Sequence, residues 1–150
     1  MERIKVVARY ANGKIVKGYT LDFFPNKDRF HVTTIDKSSD TPIEIFVNHL
    51  KAVFVVRDFD GNLHYVERKG FLEGENPYGT LLEVTFVDGE VLVGSCTSFD
   101  LKRQGFFLSP ADSKSNNIRV FVVCSALKRI RQLLLQAGEY IEVPIPGRKR

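Results

Sequence analysis

The chain has 150 residues with 22 Lys/Arg against 18 Asp/Glu, a 43% hydrophobic content and a net charge of +4. This is the composition of a folded globular chain, so disorder over its length is excluded. No apolar run is long enough for a membrane-spanning helix. The basic residues are spread along the chain without the dense basic stretch of a dedicated nucleic-acid binder. Charges interrupt the first residues, Glu2, Arg3 and Lys5, so no secretory h-region is read there and a cytoplasmic location is expected.

The predicted elements come in two matching series. "RYANGKIVKGYTLDFFPNKDRFHV" (residues 9–32) lies over "TFVDGEVLVGSCTSFDLKRQGFFL" (residues 85–108) at a constant offset of 76. Gly13 falls on Gly89, Gly18 on Gly94, Phe23 on Phe99 and Phe30 on Phe106, while Asn12 falls on Asp88. Asn12-Gly13 and Asp88-Gly89 read as two-residue hairpin turns of type I′. Gly18 and Gly94 then sit inside the returning strand, where a glycine marks a bulge or sharp bend.

A third strand is expected from Phe30 and Phe106 and a fourth from Ile45 and Val120. A fifth is expected at 50–56 and 127–133, with Phe46 laid over Phe121 and Leu50 over Leu127. Residues 128–136 suit either strand or a short helix, and strand is expected to about Leu134. Between the series, Asp60-Gly61 predicts an extra hairpin with arms 54–58 and 63–67. "EGENPYG" (residues 73–79) has linker punctuation. The reading is an all-β chain of two tandem antiparallel five-stranded barrels related by an internal repeat. Residues 1–72 form the first, 73–80 the linker, and 81–150 the second with a basic frayed tail.

Two resemblances follow from these residues. "VTFVDGEVLVGSCTSFDLKRQGFFL" resembles the first signature of Sm-like proteins, with Gly89, Gly94 and Asp100 at the family's spacing. It implies an Sm/SH3-like barrel and single-stranded RNA as a ligand class. However, Gln104 stands at the family's Asn position, Phe24 replaces the Asp in the first series, and the second signature's Arg-Gly is absent. "KVVARYANGKIVKGYTLDFFPNK" and "GFFLSPADSKSNN" resemble bacterial proteins of PilZ type, which implies a cyclic di-GMP receptor. Residues 100–105 keep the spacing of the PilZ Asp-x-Ser-x-x-Gly element, with Lys102 at the Ser. No two arginines stand four apart, so the Arg-x-x-x-Arg clamp of that family is missing.

Catalytic constellations are not found, and no enzyme activity, cofactor or metal is expected. His31, His49 and His64 have no histidine partner at helical spacing. His31 matches Phe107 and reads as a packed or half-buried strand residue. Cys96 and Cys124 have no metal spacing and read as buried reduced thiols. His49 and Cys124 occupy roughly equivalent places in the two series.

Binding remains. Lys27 and Arg29 beside Phe23, Phe24 and Phe30, and Lys102 and Arg103 beside Phe106 and Phe107, place cations next to aromatics, a pairing suited to single-stranded nucleic acid. The simpler account makes the rings core and the cations their rim. Asp112, Asn116 and Asn117 mark the connection between the third and fourth strands of the second series as the loop most open to specialisation. The expected role is a bacterial, non-catalytic adaptor or regulatory module that engages a protein partner, homo-oligomers included. Nucleic acid and cyclic di-nucleotide are the alternative ligands.

Overall fold

A computed structural model describes residues 2–36, 41–61, 64–72, 75, 77–135 and 137–147. Leu63 of the expected hairpin, Glu73, Gly74 and Asn76 of the linker, Gln136, and tail residues 148–150 lie outside these. The strands are β1 (Ile4–Tyr10), β2 (Ile15–Thr20), β3 (Arg29–Thr34), β4 (Ile43–Phe46), β5 (Leu50–Val56) and β6 (Thr80–Phe86). They continue as β7 (Val91–Cys96), β8 (Gly105–Pro110), β9 (Asn117–Val123), β10 (Leu127–Leu134) and β11 (Glu139–Val143). Single 3-10 turns, Val47–His49 and Cys124–Ala126, precede β5 and β10.

The chain is therefore all-β, and every ladder is antiparallel. The strands form one open sheet in the order β11-β10-β6-β7-β8-β9-β5-β1-β2-β3-β4. The first five strands run 5-1-2-3-4 and the next five 10-6-7-8-9. Their registers correspond: Val6↔Gly18 to Leu82↔Gly94, Gly18↔Thr34 to Gly94↔Pro110, and Phe30↔Ile45 to Phe106↔Val122. Ala8↔Val53 likewise matches Val84↔Ile130, and both of these ladders carry an irregularity at the same place.

Three expectations are corrected. The Asn12-Gly13 and Asp88-Gly89 turns are three-residue loops, because Tyr10 pairs with Lys14 and Phe86 with Glu90 across them. Gly13 at φ 94° and Gly89 at φ 96° take the left-handed position of such loops. The ladder also brings Glu44, not Phe46, to the place matching Phe121, since Glu44 faces His31 as Phe121 faces Phe107. Finally, no strand lies among the described residues between Val56 and Thr80, so the extra hairpin is replaced: β5 pairs with β9 instead.

That β5–β9 ladder explains the packing. Alternate residues of a strand face opposite sides, and here each side meets a different core. Val53 and Val55 join Val6, Ala8, Phe30, Val32 and Ile45, whereas Ala52, Phe54 and Val56 join Leu82, Val84, Phe106 and Ile130. All seven residues of β5 are consequently buried, which matches its near-continuous apolar sequence. β9 does the reverse, sending Phe121 and Val123 to the first core and Val120 and Val122 to the second.

The backbone comes unusually close to one glycine in each half. A Cβ on Gly18 would lie 2.2 Å from the Thr33 carbonyl oxygen, and one on Gly94 2.2 Å from that of Ser109. Both positions therefore need glycine, at the points where β2 pairs with β3 and β7 with β8.

Candidate functional site

β4 is a four-residue strand that ends the sheet, so among the described residues one of its edges carries no ladder. β9, which holds the matching place, is paired on both sides, with β8 and β5. Beside β4, a groove of about 380 Å³ is lined by Arg3, Tyr19, Leu21, Asp22, His31 and neighbouring residues including Pro42. Leu21 and Ile43 are exposed.

The groove's polar centre is His31. Its Nδ1 lies 2.7 Å from Asp22 Oδ2 and its Nε2 3.5 Å from Glu44 Oε2. Asp22 also accepts from the His31 amide at 2.9 Å and the Thr20 hydroxyl at 3.1 Å. Burial pushes the Asp22 carboxyl up, but these bonds outweigh it and hold it below the usual carboxylate value. The hydrogen bond to Asp22, with added attraction from Asp22 and Glu44, raises the His31 imidazole above its ordinary value. Of the two expected states, packed or half-buried, His31 takes the second: strand alternation turns Phe30 and Val32 into the core and His31 outward, with its side chain 44% exposed.

Of the expected cation–aromatic pairings, Lys27 over Phe24 is present, and the other cations fall elsewhere. Phe30 and Phe106 are core residues, each in edge-to-face contact with its partner, Phe23 or Phe99. Lys27 lies over Phe24 and Arg29 over Phe46 of β4. Lys102 and Arg103 are exposed in the turn before β8, and Arg103 meets Asp100 at 3.6 Å. The neighbouring Gln104 amide donates to the Pro25 carbonyl at 2.8 Å and to the Lys27 carbonyl at 2.6 Å, so the two basic turns are held against each other. Outside the expected set, Arg3 stacks on Tyr19 at 3.8 Å and Lys5 lies over Phe59. The Lys17 ammonium donates to the Phe59 carbonyl at 3.0 Å.

Asp112, Asn116 and Asn117 are brought together, but their loop holds the segment that connects β5 to β6. Asp112 accepts from the Arg68 amide at 2.9 Å, from the Tyr65 hydroxyl, and from the Lys114 amide at 3.0 Å. These bonds lower its pKa to about 2, the Arg68 amide first. Asn116 exchanges bonds with the Asp58 backbone, accepting at 3.0 Å and donating at 2.9 Å. The Asn117 amide donates to the Ser115 hydroxyl, which donates to Glu67. Arg57 donates to the Ser115 and Ser113 carbonyls.

Cys96 and Cys124 are both free thiols. Burial, with the Asp100 charge adding, pushes Cys124 up to about 11, which removes thiolate character at neutral pH. The ladders place Cys124 opposite the role of Val47, not His49, which corrects the equivalence read from sequence. Among the described residues no group of three His, Cys, Asp or Glu is arranged to hold a metal ion. None of the described helices is long and apolar enough to cross a membrane.

His31, Asp22 and Glu44 were missed as a cluster because they belong to three separate stretches, and only strand pairing joins them. The alternation of Phe30, His31 and Val32 was the one local signal. No curated protein matches the chain, and no solved structure matches it. Residues 2–134 match the model of a family of unknown function, DUF6982, and the chain belongs to that family.

Proposed function

We propose that the protein is a non-catalytic binding module built from two Sm/SH3-like barrels that share one sheet, and that it accepts an extended segment of a protein partner along β4. The barrel reading rests on the corresponding registers and strand orders of the two halves. The domain division at 73–80 follows from it. One observation carries the binding reading: β4 ends the sheet, whereas its counterpart β9 is completed by a second strand, β5. An unpaired strand edge offers main-chain hydrogen bonds for affinity, and an adjoining groove gives side-chain selectivity.

The fitting occupant is a short β-branched segment like β5. The position facing Glu44 would carry a hydrogen-bond donor, because Glu44 stands where the joint has Phe121. Peptides selected from a random library should shift the amide resonances of residues 43–46 and the His31 ring, and should lose binding in Ile43→Pro. Selected peptides that leave residues 43–46 unmoved would overturn the reading.

A second reading has its own observation. Arg3, Lys5 and Lys17 gather around Tyr19 and Phe59, whose rings meet edge-to-face at 5.4 Å. Cations beside open rings suit single-stranded nucleic acid. That reading predicts oligonucleotide affinity that falls steeply with salt and is lost in Lys5→Glu/Lys17→Glu; a response to cyclic di-nucleotide alone would contradict both readings.

A further inference from the structure

The sheet's other end is closed by a strand that copies an internal joint. On β5, Val53 pairs with Phe121, Phe54 with Val120 and Val55 with Arg119 of β9. The matching residues of β10 pair with β11: Ile130 with Val143, Arg131 with Glu142, and Gln132 with Ile141. β11 therefore lies on β10 in the register that β9 uses on β5. Val143 takes the place of Phe121, and with Ile145 it packs against the second core.

The fastening is specific in kind. The Arg129 Nε donates to Glu142 at 2.6 Å, and the Arg131 guanidinium lies 4.0 Å from the centre of the Tyr140 ring. Otherwise β11 is held lightly, with four of its five residues exposed and, among the described residues, its outer edge unpaired. The family match stops at residue 134, the last of β10, so β11 lies outside the part that the family model describes.

We infer that the outer edge of β10 is a second strand-accepting site and that β11 is its built-in, displaceable occupant. The external ligand it fits is an extended protein segment of β11's chemistry. That segment has an aliphatic residue facing Ile130, a carboxylate in reach of Arg129, and an aromatic ring for Arg131. A carboxylate on Arg129, a ring on Arg131 and an aliphatic group over the core meet different needs of the edge, which gives the site direction and register. Antiparallel addition to a sheet edge needs no rearrangement of the remaining ladders, since each strand bonds only to its neighbours.

The test uses the full chain with Ile141→Pro/Glu142→Pro, in which proline removes ladder donors from β11. The probe is a labelled synthetic peptide with the sequence of residues 137–147. The variant should bind it at least ten-fold more tightly than the unaltered chain, with amide shifts along residues 127–134. Equal binding by both chains, or shifts centred on residues 43–46, would overturn the inference without touching the β4 reading. Hydrogen exchange of the unaltered chain supplies an independent check. The amides of β11 should exchange at least ten-fold faster than those of β5 and β9, and equally slow exchange would also overturn it.

Discussion

Lys51 of β5 and Asp88, in the loop between β6 and β7, meet at 2.7 Å across 37 residues of sequence. The Lys51 ammonium also donates to Glu90 and lies over the Phe86 ring, so its stem is buried while its two carboxylates stay half in water. The pair thus ties β5 to the second half. Lys51→Met keeps the volume over Phe86 and leaves solvated carboxylates, so stability should change by less than about 1 kcal/mol. Asp88→Asn/Glu90→Gln instead strands a buried ammonium and should cost about 1–3 kcal/mol. Denaturant midpoints at neutral pH give both numbers. Equal losses in the two variants would show that the charge, rather than its burial, sets the energetics.

Gly94 is fixed by space. A Cβ there would lie 2.9 Å from the Leu108 Cγ as well as against the Ser109 carbonyl, and backbone cannot give way cheaply. Gly94→Ala should therefore destabilise by about 1–3 kcal/mol, the usual penalty for overpacking. Gly70→Ala, which meets nothing within 4 Å, should stay within about 0.5 kcal/mol. Thermal melts of the two variants decide it.

Much of the strand plan was legible because its signals are local. Turn glycines, alternation and apolar runs placed β1 to β10 closely, and Leu50–Val56 lies where a fifth strand was expected. What was illegible depends on pairing between distant strands. Nothing in "LKAVFVV" distinguishes a strand buried by one core from one shared by two cores. β11 was given no element because its alternation is weak and its ladder is with β10. The loop of Asp112, Asn116 and Asn117 was read as the one most open to specialisation, and no local signal told that its polar groups bond residues 57–68, partners more than 40 residues away.

Asp112 provides the acid sensitivity of that contact. Its folded pKa of about 2 lies below the unfolded value of about 3.9. The ionised form therefore stabilises the fold above pH ~4, and this is lost as the pH falls through ~2. Asp112→Asn should abolish this share of the pH dependence and loosen the connecting segment. Trypsin cleavage after Arg68 or Lys69 should then be several-fold faster than in the parent at neutral pH, with the rest of the sheet intact. Unchanged cleavage would mean that Arg57 and Asn116 suffice to hold the segment.

Phe121 tests whether the two halves are one folding unit. It is fully buried, belongs by sequence to the second half, and meets Phe23 of the first at 5.2 Å as well as Phe107. Because β5 and β9 each complete both cores, neither half can open without exposing apolar residues of the other. Phe121→Ala should cost about 3–5 kcal/mol, and the loss should appear in a single transition. Far-UV circular dichroism should report the same midpoint as methyl resonances of Val32 in the first core and Leu82 in the second. Two separated transitions, with only one moved by the substitution, would mean that the β5–β9 ladder joins two independently stable barrels, and the shared sheet would then be a docking of units rather than a common fold.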